Sequence, residues 1–146
     1  MKSYNFSMER VLQWRESLEK SSMEKFAMVQ NELNHEKYIL NELYKEYEVI
    51  KEKGLKCKNI NELKQVQFYK QDIEDKIEMQ KEIIEKKSEE LEAMRLELVE
   101  AQKDRKIMEK LKERDYTDYQ NEVKAVEQKQ LDEMAVLKFK PMSSRA

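Results

Sequence analysis

The chain is poor in everything that bends a backbone or builds a reactive site. Its 146 residues include one Gly, one Pro, one Cys and one His. A globular domain of this length needs several turns, and turns draw on Gly, Pro, Asn and Asp. Long helices with few connections are the natural reading of such a composition. A lone cysteine, Cys57, cannot close an internal disulfide, so the cytoplasm is the expected compartment. A lone histidine, His35, leaves neither a Cys/His cluster for a metal nor a Ser/His/Asp set, and there is no Gly-rich phosphate loop. No apolar run approaches the roughly 20 residues that span a membrane. The opening MKSYNFSMERVLQWRESLEK lacks the apolar core of a signal peptide. Lys and Arg number 29 against 31 Asp and Glu, so net charge gives no footprint for nucleic acid.

What the chain does have is one narrow apolar seam. Residues 73–101 place Ile73, Ile77, Gln80, Ile84, Lys87, Leu91, Met94, Leu98 and Ala101 in steps of four and three. Fourteen of the twenty residues between them are charged. A helix with so narrow a seam cannot bury it alone and needs a second seam to lie against. A disordered chain would lack this periodicity.

The partner seam lies upstream. Ser7 is placed to cap a first helix starting near Met8, with Phe6 and Val11 spaced as a hydrophobic staple and Glu9 at the positive end of the dipole. The seam is read as Val11, Leu18, Ser22, Phe26, Val29, Leu33, Leu40, Leu43, Tyr47 and Ile50. Its steps 18, 22, 26 form a stutter that would unwind the supercoil locally. His35 or Glu36 falls where an apolar residue is due. Gly54 suits a left-handed C-cap that ends the helix near Lys53. Asn59 with Glu62 resembles a capping box, opening a second helix near Ile60. Past Ala101 the pattern is read as drifting, because Arg105 occupies an apolar place. Met108, Leu111, Tyr116, Tyr119, Val123, Val126, Leu131, Met134 and Leu137 follow, and Pro141 stops the helix after Phe139.

The expected fold is therefore all-α, an antiparallel two-helix coiled-coil hairpin in one domain spanning residues 1–146. Helix 1 covers about 7–53, the turn about 54–59, helix 2 about 60–139, and a short tail 140–146. At 1.5 Å per residue the helices are roughly 70 and 120 Å long. The second helix should project beyond the first by its last ~30 residues, still carrying an apolar stripe, and such a stripe calls for a partner in another chain. Enzymatic activity is not expected, since two paired helices form no concave pocket that excludes water. No cofactor or metal is expected either. Carboxylate pairs such as Glu89 with Glu90 read as a solvated face supported by pairs like Asp72–Lys76 and Glu82–Lys86. Cys57 reads as an exposed thiol at the hairpin tip, and His35 as a tolerated seam or flank residue. Tyr44, Tyr47, Tyr69, Tyr116 and Tyr119 lie on or beside the seams; Tyr47 and Tyr69 read as core filling, while tyrosines that flank a seam stay partly exposed and suit partners. Residues 16–52 hold nine Glu against five Lys, whereas residues 102–114 hold six basic against three acidic side chains. This polarity reads as ordinary fluctuation in a charged rod or, alternatively, as a basic collar where the paired helices give way to the lone one, facing an acidic ring or groove.

The two ends of the chain resemble the FliJ family of the bacterial flagellar type III export apparatus. The opening carries Tyr4-x-Phe6-x-Met8-Glu9-Arg10-Val11-Leu12, then Arg15-Glu16 and Glu19. The end carries Arg105, Glu109-Lys110-Leu111, Tyr119, Glu127-Gln128-Lys129 and Leu131-Asp132-Glu133-Met134-Ala135. The resemblance implies a cytoplasmic antiparallel coiled coil, similar to the central stalk of rotary ATPases and peripheral to the membrane. It implies three partners: the hexameric export ATPase, the cytoplasmic domain of the export gate, and export chaperones. Carried over by position, the gate-contacting surface would be Leu40, Leu43, Tyr47, Tyr69, Ile73, Ile77 and Gln80. The ATPase-facing residues would be Arg10, Arg15, Leu131, Asp132, Glu133 and Met134. The alternatives are a stalk of a virulence secretion system and a structural coiled coil that homodimerises, against which the drift after Ala101 is taken to speak. Near-neutral charge weighs against a nucleic-acid-binding arm.

Overall fold

Apolar side chains at alternating three- and four-residue steps fold this chain into two helices. A computed structural model describes residues 3–139. It contains α1, Glu9–Leu55, and α2, Ile60–Lys138, joined by a short turn as an antiparallel helical hairpin. The chain divides into two compact units, Met1–Leu18 with Gln102–Ala146, and Glu19–Ala101.

In the unit Glu19–Ala101 the seam of α2 is the one the spacing predicts. Ile73, Ile77 and Gln80 are buried, and Ile84, Lys87, Leu91, Met94, Leu98 and Ala101 are half-buried. Upstream the same steps reach Lys70 and Val66. Val29 and Leu33 are the buried residues contributed by α1. Gly54 faces Val66, Tyr47 contacts Glu74, Glu36 meets Gln80 and Glu32 meets Lys87. One number falls as the other rises, which is the antiparallel register.

Two expectations about the seam are corrected. On α1 from Leu12 to Val29 the half-buried and buried positions are Leu12, Arg15, Glu19, Ser22, Phe26 and Val29, in unbroken steps of three and four, so the seam begins with Leu12 and not with half-buried Val11 beside it. There is no stutter at Ser22, and Leu18 lies outside the seam, 37% exposed. Of His35 and Glu36, the seam residue is Glu36. On α2 the pattern does not drift past Ala101. Arg105, Met108 and Lys112 keep the same steps, and Met108 is buried. The physical reason is the same in both cases. Arg, Lys and Glu lay apolar stems along a seam while their charged ends reach a partner at its edge. Arg105 Nη1 donates to Glu109 Oε1 at 2.6 Å, and Arg15 Nη1 to Asp104 Oδ2 at 3.2 Å.

The helix ends also differ in detail. At the start, the turn before α1 is closed by the Glu9 N–H donating to the Phe6 carbonyl at 3.2 Å, and the first helical residue is Glu9. Val11 packs on the cluster that contains buried Phe6, as a staple would. Gly54 is not a left-handed cap: no described residue has positive φ, and α1 continues through it to Leu55. A Cβ at Gly54 would stand 3.2 Å from Val66 Cγ1. The glycine serves close approach of the two helices, not chain reversal. At the start of α2, the Glu62 N–H donates to Asn59 Oδ1 at 2.8 Å, as a cap requires. The Glu62 carboxylate returns to the Lys58 N–H at 3.4 Å, one residue before the position a capping box would use. At the other end of α2, the Phe139 N–H still donates to the Ala135 carbonyl at 2.9 Å, closing the last turn. Pro141 and the tail 140–146 lie outside the described residues.

Candidate partner-binding surfaces

The residues expected to face the export gate all lie in the unit Glu19–Ala101, but they differ in what they can offer. Ile73 is fully buried and Ile77 is 7% exposed, so both fill the seam and can only shape a surface. Gln80 is 7% exposed, and its Nε2 donates to the Glu36 carbonyl at 2.9 Å and to Glu36 Oε2 at 2.5 Å. A buried amide that found no acceptor would cost roughly 1–3 kcal/mol. Glu36 meets that need, so the pair pins the register at this layer. Leu40, Leu43 and Tyr47 are half-buried, and Tyr69 is exposed. The Tyr47 hydroxyl donates to Glu74 Oε1 at 3.2 Å, and Lys70 Nζ lies 5.5 Å from the centre of its ring. Tyr44, Tyr47, Glu48, Gln71, Glu74, Asp75, Ile77 and Glu78 line an open groove of about 500 Å³. The exposed members available to a partner are Tyr44 and Tyr69, and beside Tyr69 in sequence Phe68, 75% exposed.

One heptad along the same unit, Lys87 Nζ bridges Glu32 Oε2 at 2.6 Å and Glu90 Oε2 at 3.3 Å. The hydrogen bond to Glu32, then that to Glu90, raises the Lys87 ammonium above its ordinary value. A polar residue in the seam is thus tied to the opposite helix.

The residues expected to face the ATPase lie in the other unit, and they are not brought together. Arg10 is exposed, whereas Arg15 is half-buried and paired with Asp104. Glu9 Oε2 meets Lys112 Nζ at 2.8 Å, which places Arg10 opposite this part of α2. Leu131, Asp132, Glu133 and Met134 follow about 20 residues further along α2, roughly 30 Å away at 1.5 Å per residue. Leu131 and Met134 are 61% and 51% exposed, and Gln128 Nε2 donates to Asp132 Oδ1 at 3.0 Å. Every residue from 124 to 138 is exposed. Val126, Leu131, Met134, Val136 and Leu137 leave apolar surface to solvent there.

Sequence reasoning named the Phe6–Val11 staple and Met108 but passed over Leu12 and Tyr4 as packing residues of this unit. The segment before α1 folds against α2. Phe6 and Leu12 are buried with Met108, and Tyr4 and Val11 pack on them. The Tyr4 ring stands 4.9 Å from Tyr116 and 5.2 Å from Tyr119, centre to centre. Its one hydroxyl proton is shared between Asp115 Oδ2 at 3.1 Å and the Lys112 carbonyl at 3.4 Å. Partial burial, and then the Asp115 carboxylate, push the Tyr4 hydroxyl above its ordinary value. Tyr116 and Tyr119 therefore meet a tyrosine of their own chain first. Counting heptads back from Ser22 would have found Leu12, while nothing in the periodicity marks Tyr4.

Among the described residues no His, Cys, Asp or Glu group is placed to hold a metal ion, and no helix is long and apolar enough to cross a membrane. Cys57 is half-buried at the turn, its thiol donating to the Lys53 carbonyl at 3.3 Å. Neither a curated protein nor a solved structure matches the chain. The family model described as the flagellar FliJ protein does match, over residues 4–141. That span takes in both helices, the tyrosine cluster and the exposed end of α2, and the chain belongs to the flagellar FliJ family of export-apparatus components.

Proposed function

We propose that this chain is a non-enzymatic, stalk-like coiled coil that binds the hexameric flagellar export ATPase and the cytoplasmic domain of the export gate and escorts export chaperones. It would work from the cytoplasm, at the membrane only through the apparatus it joins. Family membership supports the setting. The observation that carries the coupling role is the end of α2, where residues 124–138 expose apolar side chains with no cover from α1. An amphipathic helix with a free stripe is a ready partner for another helix or groove. The ATPase-facing set, Arg10, Arg15, Leu131, Asp132, Glu133 and Met134, borders or belongs to this part. The gate-facing set is narrowed to side chains that reach solvent, with Tyr69 and Tyr44 foremost.

The second reading is a structural coiled coil that homodimerises. The unbroken seam through Arg105 removes the register argument against it. What now weighs against it is that the seam of α2 meets its own chain as far as Lys112, so a second copy would find only the stripe beyond it. A virulence-type stalk is disfavoured by the flagellar family match.

Truncation after Lys124 tests the coupling role while sparing the tyrosine cluster. The fragment is expected to keep its melting temperature and to lose at least tenfold in affinity for the purified ATPase hexamer. A fragment that binds and stimulates the ATPase as the intact chain does would overturn the role given to the end of α2. A stable dimer by light scattering, with no ATPase binding by the intact chain, would favour the second reading.

A further inference from the structure

The face of α2 that carries Met108 continues in seam steps through Lys112, Tyr116, Tyr119, Val123 and Val126. Helix α1 begins at Glu9, opposite Lys112, so it does not cover the tyrosines. They are covered instead by the non-helical segment before it. That segment is held at two points of unequal strength. Phe6 is 6% exposed, within the cluster of Leu12 and Met108. Tyr4 is only half-buried. It is held by two ring contacts, a hydrogen bond to an exposed carboxylate, and a second at 3.4 Å, near the limit of hydrogen bonding. Tyr116 remains 44% exposed beneath it. The segment can therefore lift Tyr4 while Phe6 keeps the start of α1 in place.

We infer that residues 3–5 form an autoinhibitory strap, with Tyr4 seated on Tyr116 and Tyr119 where the export ATPase would otherwise pack. The inference rests on the reading that the end of α2 is the ATPase-facing helix. The occupant is argued from continuity, since Tyr116 and Tyr119 carry the interhelical seam directly into the exposed stripe at Val123 and Val126. A partner that packs along that stripe meets the strap at its first aromatic step. Strap and ATPase then compete, and apparent affinity is reduced by the fraction of molecules whose face is free.

The test is titration of the purified ATPase hexamer with the intact chain and three single variants, Tyr4→Ala, Tyr4→Phe and Met134→Asp. Tyr4→Ala is expected to bind about threefold to tenfold more tightly. Tyr4→Phe, which keeps the ring contacts and loses both hydroxyl hydrogen bonds, is expected to fall between it and the wild type. Met134→Asp, which charges an exposed apolar position far from the strap, is expected to bind at least tenfold more weakly. If Met134→Asp weakens binding and neither Tyr4 variant tightens it, the strap is overturned and the role of the α2 end stands. Weaker binding by both Tyr4 variants makes Tyr4 part of the binding surface and also overturns the strap. If Met134→Asp binds as the wild type does, the ATPase-facing reading falls, and the competition falls with it.

Discussion

Leu12 and Leu18 carry the same side chain six positions apart on α1, and their surroundings differ. Leu12 is 4% exposed against Phe6 and Met108, whereas Leu18 is 37% exposed. Removing buried methyl groups forfeits transfer energy and leaves space that neighbours fill only in part. Leu12→Ala should therefore cost about 2 kcal/mol, the low end for a leucine because a two-helix seam can partly collapse. Leu18→Ala should change stability by less than about 0.5 kcal/mol. Urea unfolding of the two variants checks this, and the opposite ranking would restore the stutter. The pair also shows where a sequence reading succeeds and fails at this scale. In residues 73–101 the seam was legible, polar members included, because apolar residues fixed the phase on both sides of Gln80 and Lys87. At Arg15, Glu19 and Arg105 the seam places are charged while apolar residues such as Trp14, Leu18 and Ile107 stand beside them, and a reading by apolar content drifts toward the nearest leucine.

At the scale of the elements, the joint between α1 and α2 turns on Gly54 and Val66. Two effects oppose each other in Gly54→Ala. The helix gains roughly 1 kcal/mol of propensity, and the new Cβ meets Val66 Cγ1 at 3.2 Å. Val66 is half-buried, and its methyl must give a few tenths of an ångström to admit the new Cβ. Gly54→Ala alone should lie within about 0.5 kcal/mol of wild type, the crowding offsetting most of the gain. In a Val66→Ala background the same substitution should stabilise by about 1 kcal/mol, since the crowding is gone. A double-mutant cycle by chemical denaturation measures the difference, and equal effects in both backgrounds would show that the close approach constrains nothing. The sequence signalled a helix boundary here correctly but suggested the wrong reason for the glycine. A lone Gly between two helices suggests a cap, whereas its use for close approach depends on which side chain sits opposite. The candidate surfaces were legible to a similar degree. Spacing separated the exposed Leu131 and Met134 from the paired region, but the seat of Tyr4 on Tyr116 and Tyr119 depends on a non-helical contact that no period encodes.

For the molecule as a whole, the shifted ionisations favour the neutral-pH charge state of the fold. The hydrogen bonds of Lys76 with Asp72, Lys81 with Tyr44, and Lys87 with Glu32 raise each lysine from its ordinary value of 10.5. Partial burial, then Asp115, raises Tyr4 from 10.0. In each the folded chain holds its proton more tightly than the unfolded one. The stability they lend is present below the ordinary values and is lost as pH rises through the raised ones. Glu92 is shifted the other way by its hydrogen bond with Arg95, from 4.5. Its contribution is present above that value and is lost as pH falls through the lowered one. With three lysines and Tyr4 shifted on the alkaline side and Glu92 on the acid side, and Arg95, also raised by its bond to Glu92, titrating beyond both windows, the melting temperature should fall more between about pH 9 and 11 than between about pH 6 and 4. These groups are solvent-accessible, so each contributes little and salt screens it. The alkaline fall should accordingly shrink in concentrated salt. Thermal melts across pH at low and high salt measure it. An alkaline fall that salt leaves unchanged would mean that ion pairs such as Lys87 with Glu32 do not hold the helices, and that the apolar seam alone sets the register.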